Sequence, residues 1–187
     1  MIGDLPKYLE VNGRQYEIRS DFRTALLILQ AYDDPELDDY EKAAVCLECL
    51  FCDIPKDKDE AYKAAICFLD GGNTAKSCSQ SARIIDWEQD ESMIFSAVNK
   101  SAGFEVRAAD YIHWWTFLGY FSEISEGLLS QIINIRIKKS KGKKLEKYES
   151  EFYSQHREII DLKTHYTAEE KAEIDRINKL LERNSGE

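Results

Sequence analysis

The chain has 187 residues, 43% of them hydrophobic and 11% aromatic, and its 25 Lys and Arg face 35 Asp and Glu for a net charge of −10. That length favours one domain with a core of its own, independent of disulfides or a structural metal, and the acidic balance excludes the basic footprint of a general nucleic-acid binder. The most apolar stretch, residues 111–122, is shorter than the about 18 residues a membrane span needs and contains His113. No basic start followed by an apolar run marks a secretory leader, and five cysteines fit free thiols in a reducing compartment. The expectation is a soluble cytoplasmic protein without a cofactor.

The elements open with a β-hairpin. Residues 8–11 and 14–18 alternate around Asn12-Gly13, a pair suited to the positive φ of a type I′ turn. The pattern then changes to a helical period. Ser20 or Asp21 caps a helix with Phe22, Ala25, Leu26 and Leu29 on one face, ended by Asp33-Asp34-Pro35. Asp38 or Asp39 opens a second helix to about Phe51, and a third spans about 58–69 and stops at Gly71-Gly72. A Ser-, Thr- and Gln-rich loop follows over 73–81. Asp86 and Gln89 have the spacing of a capping box for a helix ending near Gly103.

A nearly all-apolar helix is expected over 108–121, with Tyr111, Trp114, Trp115, Phe117, Leu118 and Phe121, and it should be central. Another begins at Ser125 or Glu126 and buries Leu128, Leu129, Ile132, Ile133 and Ile135. Charge then reverses: residues 1–135 carry −12, residues 136–147 carry +6 and the remainder −4. The expected division is a helical domain with the hairpin over 1–139, then a charged linker and C-terminal helical arm over 140–187. In the arm, one helix is expected over 143–161. A second is capped by Thr167 with Glu170 and striped by Ile174, Ile177, Leu180 and Leu181, a seam narrow enough to take a partner helix or to pack back. The fold class is mainly α: a helical bundle with an N-terminal hairpin and a C-terminal helical arm.

Candidate chemistry is sparse. Cys46, Cys49 and Cys52 have the spacing that opens an iron–sulfur run, but position 56 is lysine where the fourth ligand belongs. In a continuous helix Cys46 and Cys52 would point about 120° apart and stand about 9 Å apart along the axis. They read as core or half-exposed thiols, and no metal site is expected. Asp86, Glu88, Asp90 and Glu91 are acids that hold Mg²⁺ or act as acid and base elsewhere; acids in a first helical turn are also what the helix dipole favours. His113 sits among tryptophans, as a core or interface histidine does. The glycines form no phosphate loop, and no nucleophile–base order is visible, so no catalytic residue is assigned and the chain is not expected to be an enzyme. The basic run is either a solvated linker or an electrostatic contact with an acidic surface.

Three segments taken together are recognisable: Asp86-Trp87-Glu88-Gln89-Asp90, then Tyr111-Ile112-His113-Trp114-Trp115-Thr116-Phe117, then Ser130-Gln131-Ile132-Ile133-Asn134-Ile135-Arg136. In order and spacing they resemble the gene-product-fifteen family of small tail-cluster proteins in siphophages and prophages of Gram-positive bacteria. The opening, with Leu5-Pro6, Val11-Asn12-Gly13, Tyr16-Glu17-Ile18 and Asp21-Phe22-Arg23, is similar to the family's start. The resemblance spans about residues 5–150; the last 35 or so residues and the cysteines lie outside it.

The family's gene order, between the major tail protein and the tape-measure protein, implies a non-enzymatic tail assembly chaperone in the host bacterial cytoplasm. It would hold the tape-measure chain or other tail proteins through protein–protein contacts, without membrane or nucleic acid. The alternative is a structural tail or head–tail component kept in the virion, and a homo-oligomer is left open. Candidate binding residues are Trp87, His113, Trp114, Trp115, Phe117 and Arg136, whose aromatic members serve equally as core.

Overall fold

The computed structural model describes residues 3–73 and 83–184, with side chains up to residue 178. The hairpin pairs β1 (Tyr8–Val11) with β2 (Arg14–Glu17), Val11 opposite Arg14. Asn12 and Gly13 take φ values of 51° and 75°, as the type I′ turn requires. Two strands alone bury too little, so the hairpin leans on helices. Val11 is buried, the Asn12 side-chain amide donates to Asp57, and the Cys52 amide donates to the Glu17 carbonyl.

Three helices follow: α1 (Phe22–Asp33), α2 (Asp39–Leu50) and α3 (Lys58–Leu69). Asp21, Asp38 and Asp57 cap them, and Asp38 forms a reciprocal capping box with Glu41. On α1 the innermost residues are Phe22, Ala25 and Ile28, while Leu26 and Leu29 are half-buried. The expected 73–81 loop lies, from residue 74 onward, outside the described residues, as does Cys78.

Residues 87–90 form a turn, and helix α4 (Glu91–Ala102) starts later than expected. Asp86 does receive the amides of Glu88 and Gln89, but Gln89 does not complete a capping box. Its side chain instead spans to residues 161 and 163. A left-handed Gly103 closes α4.

The long apolar helix expected over 108–121 is a second correction. Residues 106–108 make a single 3-10 turn, 109–113 are non-helical, and α5 covers only Trp114–Ser122. Tertiary pairing decides this. The Phe22 amide donates to the Ile112 carbonyl (2.9 Å), the Trp114 amide to the Ser20 carbonyl (2.8 Å), and the Ile112 amide to the Asp21 carboxylate (3.1 Å). A helix there would give up all three, and buried backbone groups must be paired. Tyr111, placed inside the apolar helix by its sequence, is consequently 47% exposed.

Helix α6 (Leu128–Ser140) begins after Gly127, at φ 127°, rather than at Ser125 or Glu126. Its C-terminus is a Schellman turn: the Lys143 amide donates to the Lys138 carbonyl, the Gly142 amide to the Lys139 carbonyl, and Gly142 takes φ 62°. The single helix expected over 143–161 is instead α7 (Lys147–Gln155) and the short α8 (Arg157–Ile160), broken at His156. The break turns Ile160 inward onto Ile132 and Ile135, where all three are buried. Helix α9 (Ala168–Asn184) follows, with the Thr167–Glu170 capping box in place. From Ala168 to residue 178 every side chain is exposed, Ile174 and Ile177 included.

The main core joins the hairpin, α1 to α5 and the start of α6. Its centre is aromatic: Phe22 stacks on Phe117 (4.7 Å, 1°), with Phe95, Trp114 and Phe68 around them. Among the described residues no helix is long and apolar enough to cross a membrane.

Candidate functional site: a groove along α1 and the two locks behind it

His113 is the N-cap of α5. Its Nδ1 accepts the Trp115 amide (3.0 Å), so its Nε2 carries the proton and donates to the Pro6 carbonyl (2.9 Å). Burial pushes the ring's pKa below its ordinary value, with Lys7 adding to this against the Pro6 bond. Both tryptophans reach back to the end of α3, Trp114 Nε1 to the Leu69 carbonyl and Trp115 Nε1 to the Phe68 carbonyl (both 2.8 Å). Among the described residues the Leu69 carbonyl is left without an amide donor at the α3 C-terminus, and the Phe68 carbonyl takes the indole N–H beside the Gly71 amide. Gly72 lies directly under the Trp115 ring: a Cβ there would come within 2.9 Å of it, at a φ of 81°. The His113-Trp114-Trp115 run thus locks the N-terminal segment, α3 and α5 together.

Arg136 forms the second lock. Its guanidinium makes a bidentate pair with Asp90 (2.5 and 2.9 Å) and donates to the carbonyls of Ile160, Ile84 and Ile159. Both partners are almost wholly buried, and all five N–H donors are satisfied, the condition under which a buried ion pair is tolerable. Gln89 adds a donor to the Asp161 carbonyl and an acceptor for the Lys163 amide. Two family-like motifs therefore meet through space to hold residues 159–163.

These locks set the walls of a groove along α1. Its larger section, about 920 Å³, lies between α1, the α1–α2 loop, the 86–89 turn and residues 163–166. Its smaller section, about 210 Å³, continues between α1, α4 and Arg107. Leu27, Gln30 and Trp87 line both, so the sections share one ridge. Leu27 is 54% exposed. Trp87 is half-buried, backed by Trp114 and Phe121. Asp34, Glu36 and Glu88 on the lip are joined by Lys163 and Lys171, so the rim is charged and of mixed sign.

At the floor, Asp86 accepts from Arg83 (2.8 Å) and lies 3.0 Å from His165 Nε2, and Arg83 also reaches Asp33 (3.3 Å). Burial would raise the Asp86 carboxyl's pKa, but the Gln89 amide, His165, Arg83 and the Glu88 amide outweigh it and hold the value below the ordinary one. This cluster clasps the chain after α8 to the turn before α4. Chemically the groove offers apolar contact, amides and carboxylates, which suits holding a chain.

Of the six sequence-derived candidates, only Trp87 lines the groove. His113, Trp114, Phe117 and Arg136 are buried, and Trp115 is half-buried against Phe68. Cys46 is buried in α2, Cys49 half-buried and Cys52 exposed; burial pushes the Cys46 and Cys49 thiols up. No group of three or more His, Cys, Asp or Glu is placed to hold a metal among the described residues. Sequence reasoning missed Leu27 and His165. Leu27 had a signal: four consecutive apolar residues, 26–29, exceed what one buried face takes. His165 had none, because its partners lie some 80 residues earlier in the chain.

A family model described as bacteriophage Gp15 protein matches residues 1–162. Neither the curated proteins nor the solved structures contain a match.

Proposed function

Since the chain belongs to the bacteriophage Gp15 family, we propose that it is a non-enzymatic tail assembly chaperone that keeps the tape-measure chain soluble. The groove along α1 is the observation that carries this reading. It pairs an exposed Leu27 and a half-buried Trp87 with a charged rim of mixed sign. An amphipathic helix lays its apolar face into such a groove, and an aromatic backed by other rings is the common anchor at an interface. A carrier with net charge −10 also keeps its loaded complex soluble.

Co-expression with the tape-measure protein of the same genome tests the reading. The expected result is a soluble complex that is lost when the chain is omitted. It should also be lost with Leu27→Asp, whose exposed position leaves the fold, read by circular dichroism, unchanged. Equal precipitation of the tape-measure protein with and without the chain overturns the proposal. Recovery of the chain in purified particles would instead favour a component retained in the virion.

A further inference from the structure

One strongly charged surface is not used by the groove. Of the basic residues in the α6–α7 connection, Lys138 is paired with Glu149 (2.6 Å) and Lys139 with Asp161 (2.5 Å). Lys141, Lys143, Lys144 and Lys147 are exposed and have no carboxylate partner among the described residues. They are held in place, not on a slack linker: the Schellman turn at Gly142 fixes one side, and the Glu146–Glu149 capping box of α7 fixes the other. Tyr148 stands among them, 68% exposed. Beside it, Lys144 and Lys147, interleaved with Glu146 and Glu151, line a shallow depression of about 580 Å³, so the excess of positive charge lies on the turn itself, at Lys141 and Lys143.

The same chain carries the complementary surface. Residues 33–41 contain six acids and no base; Asp33 already pairs with Arg83 and Glu36 accepts the Ala168 amide, while the Asp38–Glu41 capping box orders the end that carries Asp39 and Tyr40. Tyr40, in their midst, is 75% exposed. Tyr40 and Tyr148 are the most exposed of the large apolar side chains described, the next being Leu27 at 54%. A tyrosine ringed by charge is a frequent interface anchor, because it buries much area for little lost side-chain freedom. Two pre-ordered segments lose little further entropy on meeting. Nothing joins these two segments within one chain among the described ion pairs.

We propose that the lysine-rich turn at 141–147, with Tyr148, is a docking surface for the acidic 33–41 segment, with Tyr40, of a second copy of this chain. Self-association through unlike patches follows. Its test is separate from that of the tape-measure reading, since it requires only this protein, but Asp34 and Glu36 also line the α1 groove, so the two occupants meet there.

Sedimentation of the full chain alone tests the contact, using charge-reversed variants. Lys143→Glu with Lys144→Glu makes the basic patch acidic. Asp39→Lys with Glu41→Gln makes the acidic patch less negative and keeps the capping box, since glutamine serves there as well. The wild type is expected to associate at about 50 mM salt and at least about tenfold more weakly at about 0.5 M, where the Debye length has shrunk to a few ångströms. Each variant alone is expected to be monomeric, with an unchanged thermal midpoint, and an equimolar mixture of the two is expected to associate again. A wild type that is monomeric at low salt overturns the proposal. So does association that survives both reversals, or a mixture that stays monomeric. Retention of duplex DNA by the wild type but not by Lys143→Glu/Lys144→Glu, without self-association, would assign the patch to a polyanion and likewise overturn it.

Discussion

Helix α6 presents two basic residues three positions apart, Arg136 and Lys139, and they do different work. Arg136 and Asp90 are 4% and 0% exposed, and the guanidinium has four carbonyl or carboxylate acceptors besides its first contact with Asp90. Lys139 and Asp161 are each 37% exposed, and Tyr153 completes their cluster. Both residues tie the chain after α7 to α6, Arg136 through the Ile159 and Ile160 carbonyls and Lys139 through Asp161, and Arg136 alone also reaches the turn before α4 through Asp90. Only the buried one leaves an unsatisfied charge in a low-dielectric interior when half of it is removed. Distance alone is therefore a poor guide to importance; the surrounding dielectric and the number of satisfied donors decide it.

The largest expected effect tests the buried side of this comparison. Arg136→Met should lower the unfolding free energy by about 3–5 kcal/mol, because Asp90 would remain buried without its partner. Urea denaturation reads it directly, and a loss below about 1 kcal/mol would show that the pair is far wetter than its burial implies. Replacing both partners by apolar residues should recover part of the loss, since neither charge is then stranded.

Next comes the aromatic lock, which holds its segments without charge. Gly72→Ala should cost about 1–3 kcal/mol: the new Cβ meets the Trp115 ring at 2.9 Å, and the backbone sits at φ 81°. Gly103→Ala supplies the control, with a similar φ of 80° and no neighbour within 4 Å of the Cβ. Thermal midpoints should rank Gly72→Ala below Gly103→Ala; equal midpoints would mean that strain alone matters there.

The lock also predicts a pH dependence. His113 is neutral in the fold and its pKa is lowered chiefly by burial. The unfolded chain therefore binds more protons below the ordinary value of 6.5. Its stabilisation is complete above that pH and is lost as pH falls through the lower folded value. His113→Asn keeps a cap acceptor but cannot titrate, so its stability should fall less steeply between pH 6.5 and 5 than the wild type's. Parallel slopes would remove His113 as the titrating group.

The smallest effect lies on the exposed side of the comparison. Lys139→Ala should change stability by no more than about 1 kcal/mol, and less in salt. Burial raises the pKa of Asp161, but Lys139, Tyr153 and Arg157 outweigh it and hold it at about 2. What this carboxylate contributes is present above its ordinary 3.8 and is lost as pH falls toward 2, well separated from the His113 window.

Much of the architecture was legible because it rests on local rules. The Asn12-Gly13 turn, the Asp38–Glu41 box, the stop of α3 before Gly71 and the Thr167–Glu170 box each need only residues within a few positions of one another. The family resemblance rested on motifs in the same way, and the match over residues 1–162 bears it out. The motifs' roles were not legible. Of the candidate binding residues, His113, Trp114 and Phe117 are buried, while Trp87 lines the groove together with Leu27 and His165, which were not among them.

The sequence by itself determined a mainly helical chain with an N-terminal hairpin, its caps and most of its boundaries, since capping and periodicity act over one or two turns. Only the tertiary structure decided that residues 109–113 are not helical, that α7 breaks at His156, and that Arg136 finds Asp90. In each case a backbone or charged group had to be satisfied by a partner 20 to 90 residues away. Burying such a group unpaired costs more than any local helical preference returns.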